Sequence, residues 1–282
     1  MRKNLLFPCL ALSLGFVANG ASAEQYATAI FDKTGSMQQT RSADGKTRCQ
    51  YGKELFLTSI AGAFNKADYL NVKTFGAPGE LVSISSGFYK ITGLSPVFGP
   101  GKVFFDNIQQ QVNALSCDAW STALGDAVCD SIDELRSSVL STTTQLPRIA
   151  LVTDAGENYS QRCGGTNYVT THIIPRTLNP APKVRLDIAI LAPGGNVSAR
   201  LSSAPSYELF NTNSTAPVAA NARMSTQLMA AAPIYSSEVQ ALVNAAQASG
   251  GGAIVIADNK VCTSKCDPLS QGPDDDDWGG AW

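Results

Sequence analysis

The segment Asp32-Lys33-Thr34-Gly35-Ser36 places a carboxylate and two hydroxyls at alternate positions, directly after the apolar run 26–31. On one tight turn, this spacing allows Asp32, Thr34 and Ser36 to project toward a single point. A cluster made only of oxygen ligands suits a hard divalent cation, and suits a soft metal poorly. The spacing therefore predicts a site for Mg²⁺, with Mn²⁺ or Ca²⁺ as alternatives, where the first strand ends.

Two later segments offer further oxygen ligands to the same point. Asp154 follows the apolar run 148–153, and Thr122 lies in the segment S-T-A-L-G-D-A (121–127), where a helical pattern begins. In an open sheet of parallel strands, ligands bind outside the carboxyl ends of the strands. We therefore expect two carboxylates and three hydroxyls, from three distant parts of the chain, around one point.

Strand patterns alternate with helical patterns along the chain, which positions these segments. The strand patterns are 27–31, 70–75, 81–91, 148–153, 184–191 and 253–257, and the helical patterns are 51–66, 123–139 and 236–248. Several of the strand runs are continuously apolar, as strands buried on both faces are. This order predicts an α/β fold with a doubly wound, mostly parallel central sheet flanked by helices on both faces. The Gly-Ala-Pro-Gly turn at 76–79 predicts one antiparallel edge strand.

The two ends of the chain differ in composition from its centre. Residues 1–23 have a basic start, a short apolar core and an A-x-A end, which is typical of a secretory signal peptide. Residues 24–260 form the predicted domain, with an insertion at about 193–233 that is rich in Ala, Ser, Asn and Pro. Residues 261–282 form a tail with two cysteines and the acidic run 274–277. The run is interpreted as a solvated tail, with a weak calcium site or partner recognition as alternatives.

Composition narrows the classes of partner. The chain has 44% hydrophobic residues and a net charge of -2, which favours neither nucleic acid nor an anionic membrane surface. No run after the leader is long and apolar enough to span a bilayer. We expect an exported protein that is periplasmic, at the cell surface or extracellular.

Six cysteines remain after the leader, and an even number in an exported chain favours disulfides. Because His172 is the only histidine, a zinc site is a poor alternative, and a catalytic role for it is not expected. From the expected topology, we predict a Cys117–Cys163 bridge at the rim of the site, with Cys49–Cys129 and Cys262–Cys266 as further pairs.

The three motifs D-x-T-G-S-M, S-T-A-L-G-D-A and V-T-D-x-G-E-N together resemble those of a von Willebrand factor type A (vWA) domain. The resemblance covers about residues 25–258, with the motifs in the same order and spacing. It implies a metal-ion-dependent adhesion site whose cation is bound by the hydroxyls of Thr34 and Ser36. It further implies that Thr122 joins directly or through water, and that Asp32 and Asp154 act largely through waters. The implied partner is a protein that presents a carboxylate to the cation.

Two other functions use the same fold. A Mg²⁺-dependent phosphohydrolase also gathers carboxylates at strand ends, but it ordinarily needs more of them and a cation for phosphate, which Lys33 alone does not supply. The sequence also has no G-x-S-x-G elbow, P-loop or dinucleotide-binding glycine pattern. A structural scaffold with a vestigial metal site is the third alternative. We predict a binding module and not an enzyme.

Overall fold

A computed structural model describes residues 25–138, 147–193, 208–210 and 236–262. Within these residues, eight strands form one sheet in the order β3-β2-β1-β5-β6-β8-β7, and β4 also pairs with β2. The strands are β1 (Tyr26–Asp32), β2 (Tyr69–Phe75), β3 (Val82–Ser83), β4 (Tyr89–Lys90), β5 (Arg148–Thr153), β6 (Arg185–Ala192), β7 (Glu208–Phe210) and β8 (Ala253–Ala257).

The five long strands run parallel, which confirms the predicted fold class. The predicted antiparallel edge is also present, although the run 81–91 forms two short strands, β3 and β4, instead of one. A second antiparallel edge, β7 on β8, comes from the predicted insertion. The sequence pattern predicted no strand in that region.

Helices cover both faces of the sheet. They are α1 (Arg48–Ala63), α2 (Gly99–Ala114), α3 (Leu124–Ser138), α4 (Ile174–Leu178) and α5 (Ser237–Ser249), and a π-helical turn (Val169–Ile173) leads into α4. Alternate side chains of β1 enter opposite cores: Phe31 packs with the α1–α2 side, and Ile30 packs with the α3–α5 side. Each such burial contributes about 1.5–3 kcal/mol, so the apolar strand runs fix the sheet between its two helical layers.

The helix ends follow local capping rules. Thr47 and Gln50 form a capping box at the start of α1, earlier than the sequence pattern predicted. Ser236 caps α5, and Gly250 ends it in the left-handed conformation (φ 80°), as predicted. Helix α2 was not predicted, because it starts at Gly-Pro-Gly and buries only Gly101, Ile108 and Val112.

The predicted disulfide pairs Cys117–Cys163 and Cys49–Cys129 are wrong. The structure pairs Cys49 with Cys117 and Cys129 with Cys163. The sheet is the physical reason: Cys49 and Cys117 lie in the core of the α1–α2 side, whereas Cys129 belongs to α3 on the opposite face. A Cys49–Cys129 bridge would have to cross the sheet.

Several predictions fall on residues outside the described ranges. They are the signal peptide 1–23, most of the insertion 193–233, and the tail from residue 263 onward. Cys262 is disulfide-bonded, and Cys266, its predicted partner, lies outside the described residues. Among the described helices, none has the length and apolarity needed to cross a bilayer.

Candidate functional site

The turn after β1 holds the Asp32 carboxylate between two neighbouring strands. The backbone N–H of Thr34 donates to Asp32 Oδ1 at 2.9 Å, and the Thr153 hydroxyl at the end of β5 donates to Oδ2 at 2.6 Å. Strands β1 and β5 are parallel neighbours, so both ends reach the same sheet edge. Both oxygens of this fully buried carboxylate are therefore already hydrogen-bonded.

Ser36 links the first motif to the third. Its Oγ donates to Asp154 Oδ1 at 3.0 Å and lies 3.1 Å from Thr34 Oγ1. A short 3₁₀ turn, Gly35–Gln38, sets this position directly after the strand. The structure thus brings Asp32, Thr34, Ser36 and Asp154 together as one hydrogen-bonded group.

Negative charge is in excess within this group. Burial, together with the nearby charge of Asp154, raises the pKa of Asp32 from 3.8 to about 7, against the opposing hydrogen bonds. Burial also raises the pKa of Asp154, partly offset by its hydrogen bond from Ser36 and by the charge of Arg48. Since both carboxylates are penalised when ionised, a cation beside them would stabilise their charged forms.

Arg48 supplies a positive charge that the sequence analysis missed. Its Nη1 lies 3.0 Å from Asp154 Oδ2, while Nε and Nη2 lie 2.9 and 2.6 Å from the carboxylate of Asp258 after β8. All of these side chains are largely buried. Arg48 is the first residue of α1, and no motif in the sequence indicates that the start of this helix meets the ends of β5 and β8.

Thr122, the fifth predicted ligand, lies on the wall of an adjoining cavity. Within the described part of the chain, no hydrogen bond joins its hydroxyl to the other four predicted ligands; its backbone N–H donates to Asn158 Oδ1 at 2.9 Å. The cavity has a volume of about 510 Å³. Polar side chains that line it are Ser36, Arg48, Asp118, Ser121, Thr122, Asp154 and Asn158.

The acidic residues of the second and third motifs hold the loops together. Glu157 accepts hydrogen bonds from the backbone of Gly125 at 2.7 Å and from the Ser160 hydroxyl at 2.6 Å. Asp126 in turn accepts from the backbone N–H groups of residues 161–163. These residues were noted only as parts of motifs. Their structural role is to fasten the start of α3 to the loop after β5.

Helix α5 fixes the other side of that loop. Glu238 in its first turn accepts from the backbone N–H groups of Gly156 and Glu157, at 3.1 and 2.8 Å, and from the Tyr168 hydroxyl at 2.9 Å. Ala155 adopts a left-handed conformation with φ 63°. Alanine pays a steric cost in that region that glycine does not, so the surrounding bonds hold a strained loop.

An aromatic pair, Trp120 and Tyr159, extends from the cavity wall, which Trp120 lines. Trp120 is 69% exposed and Tyr159 is 49% exposed, and their rings meet edge-to-face with centroids 4.7 Å apart. The backbone N–H groups of Tyr159 and Asn158 both donate to the carbonyl of Thr122, at 3.1 Å each. The pair is therefore fixed to the same loops that carry Thr122 and Asp154.

The donor set fits a hard cation. Thr34, Ser36 and Asp154 present oxygens in one hydrogen-bonded chain, and the buried Ser121 hydroxyl on the cavity wall has no hydrogen-bond partner within the described residues. The described residues contain no cluster of three or more His, Cys, Asp or Glu side chains suited to a metal. Hydroxyls and waters would therefore have to complete a cation's shell, which favours Mg²⁺ or Ca²⁺ over a soft metal.

No family model and no curated protein matches the sequence. The fold is similar to that of BatB from Bacteroides thetaiotaomicron, at 11% identity over 83% of this chain and 89% of that chain, with a TM-score of 0.43. It is similar to the VWA domain of SpRpn10 at 12% identity, over 88% and 92% of the two chains, with a TM-score of 0.44. The PilB minor pilin from Streptococcus sanguinis is similar at 12% identity over 84% of this chain and 58% of its own, with a TM-score of 0.45.

Proposed function

We propose that this chain is an exported vWA-type binding module that holds a divalent cation, Mg²⁺ above all, for capture of an acidic group on a partner protein. The observation that carries the proposal is the position of Ser36, whose hydroxyl joins Thr34 to Asp154 beside an open polar cavity. Asp32 and Thr122, the two other predicted ligands, belong to the same sheet edge and cavity wall.

The roles of the five residues follow from their contacts. Thr34, Ser36 and Thr122 would offer neutral hydroxyl oxygens, while Asp32 and Asp154 would supply the negative charge that balances the cation. Arg48 already offsets part of the charge on Asp154. When bound, the cation would therefore keep net positive charge and an open coordination position for a carboxylate from outside.

Binding, and not catalysis, is the proposed activity. A hydrolase at this site would need a general base or a cation for phosphate beside the carboxylates. The one histidine, His172, lies in the π-helical turn and does not line the cavity. Arg48 is occupied by two carboxylates, and Lys33 pairs with Glu80 at 3.0 Å. These pairings favour a site that presents a cation over one that transforms a substrate.

Calorimetric titration of Mg²⁺ into the full chain tests the proposal directly. We expect a single saturable site, and we expect Ser36→Ala to lower its affinity at least about tenfold, equivalent to about 1.4 kcal/mol. Ser137→Ala is the matched control, because Ser137 is exposed on α3, far in sequence from the predicted ligands, and within the described residues its hydroxyl bonds to the carbonyl of Glu134 alone. It should bind Mg²⁺ as the native chain does.

Far-UV circular dichroism of both variants separates a lost ligand from a lost fold. Native-like spectra with unchanged Mg²⁺ affinity in Ser36→Ala would contradict the proposed ligand set. The absence of any Mg²⁺, Mn²⁺ or Ca²⁺ binding by the native chain would contradict the proposed function itself.

A further inference from the structure

The aromatic pair beside the cavity is positioned to contact a ligand that enters the cavity. Trp120 and Tyr159 keep much of their surface in water, although burying such rings is strongly favourable. Trp and Tyr are also the residues that most often dominate binding energy at protein contacts. Because Trp120 lines the cavity that contains Asp154 and Ser36, an occupant with a carboxylate next to an aromatic ring would meet both features at once.

The described chain ends close to this cavity. After β8, Asp258 bonds to Arg48, a cavity-lining residue, and the backbone N–H of Cys262 donates to the Tyr51 hydroxyl at 3.2 Å. Arg48 and Tyr51 are one turn apart at the start of α1. Residue 262 therefore lies against the helix turn that forms one wall of the site.

The sequence beyond residue 262 contains the two kinds of side chain, carboxylate and aromatic, that an occupant of this cavity would need. Residues 274–277 are four consecutive aspartates, followed directly by Trp278. Residues 263–273 separate them from Cys262, and even with the predicted Cys262–Cys266 bridge the seven residues 267–273, at about 3.3 Å per extended residue, span up to roughly 23 Å. A domain of this size has a radius of gyration of roughly 17 Å. The acidic segment is thus within reach of the cavity of its own chain.

Charge makes this contact dependent on the cation. Asp154 and Asp258 both bond to the single guanidinium of Arg48, so two carboxylates face one positive charge and without a metal the site repels an acidic segment. A divalent cation reverses the sign of the local charge. We propose that segment 274–278 of this same chain occupies the cavity when the site holds Mg²⁺, with an aspartate carboxylate toward the cation and Trp278 against Trp120. The inference rests on the proposed function, and it names the segment as an internal ligand that competes with any outside partner.

A competition experiment on the full chain tests this inference. The probe is a fluorescein-labelled, C-terminally amidated peptide of residues 271–282, and its matched control carries Asn at all four Asp positions. The proteins are the native full chain and a full-length variant with Asp274→Asn, Asp275→Asn, Asp276→Asn and Asp277→Asn. Fluorescence anisotropy is measured in Mg²⁺ and then in EDTA.

We expect the acidic peptide to bind the full-length Asn variant in Mg²⁺ at least about tenfold more tightly than it binds the native chain. The reason is that a tethered segment competes at an effective concentration in the millimolar range. EDTA should release the peptide, and the Asn peptide should not bind. Placing Trp120→Ala in the Asn variant should weaken the peptide about tenfold, whereas Phe98→Ala should not; Phe98 is equally exposed, at 69%, but does not line the cavity.

Each other outcome overturns the inference. Equal affinity for the two chains, or binding that survives EDTA, would exclude the segment as an internal ligand of the metal site. A Mg²⁺-dependent dimer of the native chain that the peptide dissociates would assign the segment to a second copy. If the peptide fails to bind while calorimetry still detects Mg²⁺, the inference fails and the proposed function stands; if Mg²⁺ does not bind, the proposed function itself has failed.

Discussion

Two buried ionic groups lie at opposite ends of the same parallel strands, and they are built differently. At the amino ends, Arg148 and Arg185 begin β5 and β6, and both bond to the buried carboxylate of Asp187, with Nε–Oδ2 distances of 2.6 and 3.3 Å. The backbone of Gly252 donates to the same carboxylate at 2.9 Å. At the carboxyl ends, Asp154 and Asp258 share the one guanidinium of Arg48, and the neighbouring Asp32 carboxylate accepts hydrogen bonds only from uncharged groups, the Thr34 backbone and the Thr153 hydroxyl, among the described residues.

The difference separates a structural ion cluster from the candidate binding site. The single carboxylate at the amino ends has two arginines and a backbone donor. The two carboxylates at the carboxyl ends have raised pKa values and stand beside a cavity of about 510 Å³. A buried ion pair is costly to break from one side, whereas carboxylates with raised pKa values beside an opening mark a candidate site for a ligand.

The largest effect is expected at the amino-end cluster. Asp187→Asn removes the only carboxylate that faces both Arg148 and Arg185 within the described residues. Breaking a buried ion pair in this way costs about 3–5 kcal/mol of unfolding free energy. Urea unfolding, with Mg²⁺ affinity measured on the folded variant, should show this loss with the affinity unchanged.

Asp106→Asn is the matched control for that substitution. Asp106 pairs with Lys102 on α2, and both side chains are about half exposed, so its loss should cost less than about 1 kcal/mol. If Asp187→Asn were no more destabilising than Asp106→Asn, the amino-end cluster would have no special role in stabilising the fold.

The next largest effect is expected at the disulfides, of which Cys129–Cys163 joins α3 to the segment that follows β5. Replacing Cys129 and Cys163 with Ser should lower the unfolding free energy by about 2–4 kcal/mol. Mg²⁺ affinity should change less than about threefold, because Glu157 and Asp126 still hold the same loops. A large loss of Mg²⁺ binding in the folded double variant would mean that the disulfide, and not this network, positions the site.

Replacing Asp32 should have the opposite effect on the stability of the native state to replacing Asp187. Its pKa in the folded chain, about 7, lies above the ordinary 3.8, so folding penalises the ionised group above about pH 7 and the penalty disappears as pH falls. Native stability in EDTA should therefore gain about 2–3 kcal/mol from this group between pH 8 and pH 5. Asp32→Asn should lack that gain.

The readout is the difference in unfolding free energy between Asp32→Asn and the native chain, followed across pH, since contributions from other groups cancel. We expect the variant to be the more stable of the two at pH 8 in EDTA, and this advantage to shrink at pH 5. A difference that does not change with pH would show that Asp32 carries no excess charge.

The smallest effect is expected at Ala155, where the loop after β5 is strained. Its left-handed φ of 63° favours glycine. Ala155→Gly should relieve about 1–2 kcal/mol of strain and lose about 0.5–1 kcal/mol to unfolded-chain entropy, a net gain of about 0.5 kcal/mol. Thermal unfolding in EDTA measures this change. A clear destabilisation would mean that the alanine methyl group stabilises the loop by packing.

The sequence predicted the sheet because its strands are apolar on both faces. The runs 27–31 and 148–153 carry that signal, and because parallel strands end at one edge, the sequence also placed Asp32, Ser36 and Asp154 together at that edge. Their binding of a cation stays a prediction. Helix α2 was missed because three buried residues make too narrow an apolar stripe. Strand β7 was missed because it is short and pairs only at the edge.

Arg48 and the disulfide pairs depend on tertiary placement that no local pattern encodes. Arg48 lies far in sequence from Asp154 and Asp258, and only the packing of α1 against the sheet brings them together. The pairing of Cys49 with Cys117 depends in the same way on which face of the sheet each helix covers. The meeting of loops that follow neighbouring parallel strands could be predicted, whereas the contact of a helix start with those loops and the pairing of the cysteines could not.

The most direct test of the central claim is the unfolding free energy of the native chain and of Ser36→Ala, each in EDTA and in saturating Mg²⁺. A ligand that binds only the folded state adds RT ln(1 + [L]/Kd), which is about 2.7 kcal/mol at a hundred times Kd. We predict that Mg²⁺ stabilises the native chain by this order and leaves Ser36→Ala almost unchanged. Equal stabilisation of both chains, or of neither, would contradict the account.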